Sequence, residues 1–164
     1  MSTETAHSLL IVAYGTPTPQ GSKRVLGRAG QRGVLVDVNK ARLTSWRDDV
    51  RQAALHAVDD TPGWERDHAG VMGSFIFTLK RPRAHHMGGD PTRELRGSAP
   101  ICHVGMPDLD KLLRSTWDAL VSAGTIYDDC RLTQVYAAKF YTDPGKHRAL
   151  DRPGCTIILT GVTP

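Results

Sequence analysis

Apolar residues recur along this chain with two periods, and the switches between them mark out its elements. Ser8–Tyr14 is a short apolar run ending at Gly15, which predicts a buried strand, and residues 34–38 alternate as a second one. Leu43, Trp46, Val50, Ala53, Ala54, Ala57 and Val58 then follow at three- and four-residue steps, predicting an amphipathic helix over residues 40–58 with Asn39 placed to cap it. Trp46 falls on that apolar stripe and reads as a core anchor rather than a platform for stacking bases. In residues 70–79, Val71, Phe75, Phe77 and Leu79 share one face at period two, predicting a central or half-buried strand. Leu109, Leu112, Leu113, Thr116, Trp117 and Leu120 share one face of a second helix over residues 110–123, and Gly124 stands where a left-handed C-terminal residue belongs. Residues 131–141 and 155–162 are rich in β-formers and read as two more strands joined by a basic loop.

The stretches without a period are basic. Pro17, Pro19 and Gly21 exclude regular structure and lead into Lys23 and Arg24, followed by Arg28 and Arg32 among glycines, so residues 16–38 read as a basic loop and hairpin. Residues 80–100 hold Lys80, Arg81, Arg83, Arg93 and Arg96 among prolines and glycines, against only Asp90 and Glu94. A loop this long is uncommon in a compact domain unless it serves a function, and its cations suit the tracking of phosphates. The adjacent His85 and His86 lack a third ligand at a meaningful spacing and do not read as a metal site.

Composition narrows the picture without deciding it. The 164 residues suit a single domain, and 40% hydrophobic with 23% charged residues is ordinary for a soluble protein. No apolar run is long enough for a membrane span, and the N-terminal residues lack the basic start of an export signal, so the expected compartment is the cytoplasm. Cys102, Cys130 and Cys155 are widely spaced and predict reduced thiols. A formal charge of +4 allows a polyanionic partner but does not establish one.

Candidate chemistry lies around the second helix. Asp108 and Asp110 stand one residue apart at its start, and Asp128 and Asp129 follow its end. Capping by Asp108 and an ion pair from Asp110 to Arg114 would account for the first two, but not for the second pair. A helix over residues 110–123 is about 21 Å long, so the acids meet only if the chain turns back or a second subunit contributes. Converging carboxylates suit Mg²⁺ or Mn²⁺, and such ions activate water for phosphodiester hydrolysis, with Lys111 or Arg114 placed to offset charge on the phosphate.

The run Pro107-Asp108-Leu109-Asp110-Lys111-Leu112-Leu113-Arg114, then Trp117-Asp118-Ala119-Leu120, Gly124 and Tyr127-Asp128-Asp129, resembles the RusA family of Holliday-junction resolvases. The resemblance implies a single α/β domain, a small mixed β-sheet packed with two main helices, in an intimate homodimer. It implies paired symmetric nicks in four-way DNA junctions, with Mg²⁺ as cofactor and Mn²⁺ as its substitute. Asp108, Asp110 and Asp129 would be the metal-binding and catalytic acids, with Asp128 beside them. Arg114 stands where the family usually has a lysine, with Lys111 nearby; arginine keeps the charge but cannot donate a proton at neutral pH. Lys23, Arg24, Lys80, Arg81, Arg83 and Arg96 are the expected DNA contacts. The competing expectations are a module that binds branched DNA without cutting it, and a structural or phage-assembly protein with an incidental acidic helix start.

Overall fold

The computed structural model describes residues 8–21, 23–26, 34–37, 39–142 and 148–162, with the backbone alone at 23–26 and 34–37. In chain order the elements are β1 (Ser8–Tyr14), β2 (Lys23–Leu26), β3 (Val34–Asp37), α1 (Lys40–Asp59), β4 (Gly70–Leu79), α2 (Leu109–Ser122), β5 (Leu132–Tyr141) and β6 (Gly154–Val162). The main sheet has the order β1-β6-β4-β5, while β2 and β3 form a separate antiparallel hairpin. β4 runs parallel to β5 and antiparallel to β6, and β6 is antiparallel to β1, so the sheet is mixed, as expected. The last two strands are not neighbours: the long central β4 takes the place between them, because it is buried along nearly all its length and needs a partner on each edge.

Both helices cover one face of the sheet. Leu9, Ile11, Phe75, Phe77, Ile157 and Leu159 point into that face and meet Trp46, Val50 and Ala54 of α1 and Leu112, Ala119 and Leu120 of α2. Each large side chain removed from water here contributes roughly 1.5–3 kcal/mol. Trp46 is fully buried, and its indole N–H donates to Thr116 Oγ1 at 3.3 Å, so it ties α1 to α2.

Among the described residues the opposite face carries no helix. Leu10, Ile158, Ser74 and Tyr136 form one row across all four strands, and no Asp, Glu, Lys or Arg falls on the outward positions of these strands. Among the described residues no helix is long and apolar enough to cross a membrane.

The end of α2 places the second acidic pair. Gly124 has φ +71°, its amide donates to Val121 O at 2.9 Å, and the Thr125 amide reaches back to Leu120 O at 3.1 Å. This is the left-handed termination expected from the sequence. Trp64 Nε1 donates to Thr125 O at 2.9 Å and Ile126 is buried, which anchors the chain just before Asp128. Gly124→Ala is expected to lower stability by about 1 kcal/mol. A Cβ there would meet only Arg66 Nη1, at 3.8 Å, so the loss is conformational and shows as a lower urea midpoint with an unchanged slope.

Candidate active site

Asp108 occupies the N-cap position of α2, with extended φ −67° and ψ 140°, but its carboxylate makes no capping bond. It accepts instead from Lys111 Nζ at 2.6 Å. That hydrogen bond and charge hold Asp108 below the usual carboxylate range, with Lys139 adding to the effect, and Lys111 is pushed above its ordinary value by the same contact. Lys139, near the end of β5, donates to the carbonyls of Gly105 at 2.8 Å and Pro107 at 2.7 Å and so holds the turn that delivers Asp108. Asp110 lies exposed in the first turn of α2, and among the described residues neither it nor Arg114 forms an ion pair within 4 Å. Capping by Asp108 and pairing of Asp110 with Arg114 are therefore both absent, and Asp110 is left as an uncommitted carboxylate. The Asp108–Lys111 pair is exposed and contributes little to stability, so either charge can be drawn to a ligand.

The other end of α2 gathers three acids. Asp128 accepts from the Cys130 amide at 3.0 Å, which lowers its pKa, helped by further hydrogen bonds to the Cys130 side chain and Asp129. Asp129 is pushed up by the hydrogen bond it shares with Asp128 and by partial loss of water, with the charges of Asp128 and Asp118 adding. Asp118 lies eight residues after Asp110, in line with Arg114 at helical spacing, and lines the same hollow of about 350 Å³ as Ser122, Asp128 and Asp129. It is partly neutralised by Arg47, which also donates to Gln20 Oε1 at 2.6 Å.

The structure thus places the expected acids in two groups. Leu109–Ser122 is 14 residues long, which separates its ends by about 21 Å. Among the described residues no three His, Cys, Asp or Glu groups come close enough to hold a metal ion, so within one chain the acids do not fit one. The chain does turn back after Gly124, but Asp128 and Asp129 precede the returning strand. What β5 brings to Asp108 is Lys139. Sequence reading missed Asp118 and Lys139 as parts of this surface; the signals were the Asp110, Arg114, Asp118 stripe and a lysine within an otherwise uncharged strand.

The expected DNA contacts divide as well. The segment over residues 80–100 is not a loose loop: it contains short 3-10 turns at Arg83–His85 and Met87–Gly89 and a bridge between His86 and Leu95. Arg96 closes it, with its amide on His85 O at 2.9 Å and its Nε on His86 O at 3.1 Å. Arg81 departs from the expectation. It is only 8% exposed, donates to Pro100 O at 2.9 Å and lies 4.6 Å from the Tyr141 ring centre, so its guanidinium clamps the base of the segment. Lys80 and Arg83 remain exposed. Lys23 and Arg24 lie on β2 with side chains outside the described residues, and Arg28 and Arg32 lie outside them altogether. The three cysteines are free.

A family model described as endodeoxyribonuclease RusA matches residues 15–147, a span that takes in both acidic groups and the helix between them. No curated protein matches the chain. With 164 residues in all, the match covers well over half of the sequence, and the chain belongs to the RusA endodeoxyribonuclease family.

Proposed function

We propose that this chain is a homodimeric, Mg²⁺-dependent endonuclease that resolves four-way DNA junctions by paired nicks, each site combining Asp108 and Asp110 of one chain with Asp128 and Asp129 of the other. The observation that supports this reading is the position of the two acidic groups at opposite ends of one helix. Two α2 helices lying antiparallel about a two-fold axis set the start of each against the end of the other, which yields two equivalent sites. A bound Mg²⁺ would supply polarisation of the phosphate and a water of lowered pKa. Arg114 and Lys111 would hold the phosphate oxygens. Arginine does not deprotonate near neutral pH, so the proton for the leaving oxygen comes from solvent or from the Lys111 ammonium, whose charged form Asp108 favours.

The test is a nicking assay on a synthetic four-way junction and on a linear duplex of the same sequence, with and without Mg²⁺ or Mn²⁺. Nicking of the junction alone, and only with the ion, is the expected result. Junction binding without nicking under any divalent ion would favour the competing reading, a binding module for branched DNA.

Of the exposed cations, Arg83 offers a clean measurement. Arg83→Ala is expected to flatten the slope of log affinity against log salt by about 0.9, the loss of one phosphate contact, while Arg81→Ala leaves the slope in place and loosens the 80–100 segment to proteolysis. Equal slopes for wild type and Arg83→Ala would remove that residue from the DNA surface.

A further inference from the structure

β1, β4 and β5 run in the same direction, so their carboxyl ends, Tyr14, Leu79 and Tyr141, lie along one edge of the sheet. In open α/β sheets the crevice beyond the carboxyl ends of the strands is the preferred place for a ligand. A cavity of about 360 Å³ opens there, between residues 16–19, the first turn of α1 and the turn before α2. That is near the lower end of the size range for small-molecule sites, enough for one nucleotide and too small for a duplex.

Its lining combines three kinds of chemistry. Pro17, Leu79, Met106 and Pro107 supply flat apolar surface. Arg42 and Lys80 supply exposed positive charge. His103 adds an imidazole that packs on Tyr141 with ring centres 4.7 Å apart. Burial, with the charge of Lys139 adding, pulls His103 below its ordinary value.

The walls are held in place. Ser115 Oγ donates to Thr18 O at 2.7 Å, the Gln20 amide donates to Lys111 O at 3.1 Å, and the His103 amide donates to Lys139 O at 3.0 Å. The loop after β1 is thereby fixed to α2 and the turn before α2 to β5, and Pro107 is the last lining residue before Asp108.

We propose that this cavity receives one nucleotide of the DNA strand beside the Asp108–Asp110 end of the site, its base turned out of the stack onto the proline, Met106 and His103 surface and its phosphates on Arg42 and Lys80. Branch points and strand ends are where a base leaves the stack at least cost. The pocket makes cutting sensitive to whether that nucleotide carries a base. This rests on the nuclease reading only in taking DNA as the source of the nucleotide.

The experiment has two arms, each on the full chain. Backbone amide shifts are followed by NMR during titration with each of the four deoxynucleoside monophosphates, with 2-deoxyribose 5-phosphate and with inorganic phosphate. The nucleotides are expected to shift Thr18, His103 and Met106, and the baseless sugar phosphate to bind about tenfold more weakly. Arg42→Ala and Met106→Ala are expected to weaken nucleotide binding; Arg42 is exposed and Met106 is 72% exposed, so neither change threatens the fold.

In the second arm, a single abasic position is moved through the nucleotides around the branch of a four-way junction. One position is expected to slow wild-type nicking about tenfold and to have little effect on Met106→Ala. Sugar phosphate or phosphate binding as tightly as the nucleotides, no binding of any of them, or nicking indifferent to every abasic position would each overturn the proposal. A chain that nicks nothing yet binds nucleotides at these residues would instead overturn the nuclease reading, with the pocket standing.

Discussion

Asp110→Asn is expected to bind a four-way junction as well as wild type and to nick it about a thousandfold more slowly, the loss that follows if several kcal/mol of metal-assisted stabilisation is withdrawn. The substitution keeps the size of the side chain and removes only its charge. Because Asp110 is exposed and, among the described residues, forms no ion pair within 4 Å, losing its charge costs the fold only the helix-dipole contribution of a first-turn acid, about 0.3–1 kcal/mol. A gel-shift titration in Ca²⁺ or without metal reads binding, and a nicking time course in Mg²⁺ reads the chemistry. Equal nicking by the two proteins would take Asp110 out of the site, while an equal loss of binding and nicking would make it a folding or docking residue.

Mixing Asp110→Asn subunits with Asp129→Asn subunits, each expected to be inactive alone, is expected to restore nicking. In a mixed dimer whose sites span two chains, one site carries both changes and the other carries neither. With random exchange half the dimers are mixed, so about one site in four is intact. The single intact site per dimer nicks one strand and leaves its symmetric counterpart, so nicked junctions accumulate ahead of resolved products. Sites contained within one chain would give no recovery, since every chain would still carry a change. The two routes open from the sequence, a chain reversal or a second subunit, are thus separable by experiment. The reversal seen here delivers Lys139 and leaves Asp128 and Asp129 at the far end of α2.

Much of the fold was legible because periodicity records which side of an element is dry. β1, β4 and both helices fall within a residue or two of their expected bounds, and Trp46 and Gly124 take the roles their positions suggested. Strand order was not legible, since the pattern of a strand states its faces and not its neighbours, and β5 and β6 are separated by β4. The inner order of residues 80–100 was hidden for a related reason: it is held by backbone hydrogen bonds and by Arg81, and neither leaves a period in the sequence. At the site, the identity of the acids was readable and their partners were not. Lys111 and not the helix amides takes the Asp108 carboxylate, a choice between two nearby donors that spacing alone does not make.

The helix-free side of the sheet bears on how the protein meets DNA. Its outward strand positions hold no acidic or basic residue, so the chain's formal charge of +4 is carried entirely elsewhere. Among the described residues a polyanion meets no charged strand residue on that side, and the cation near it is Arg152 at one end, 3.9 Å from the ring centre of the outward-facing Tyr14. The uncharged strand surface therefore offers a DNA backbone little to hold it, which leaves the charged loops and helix ends as the favoured place of contact.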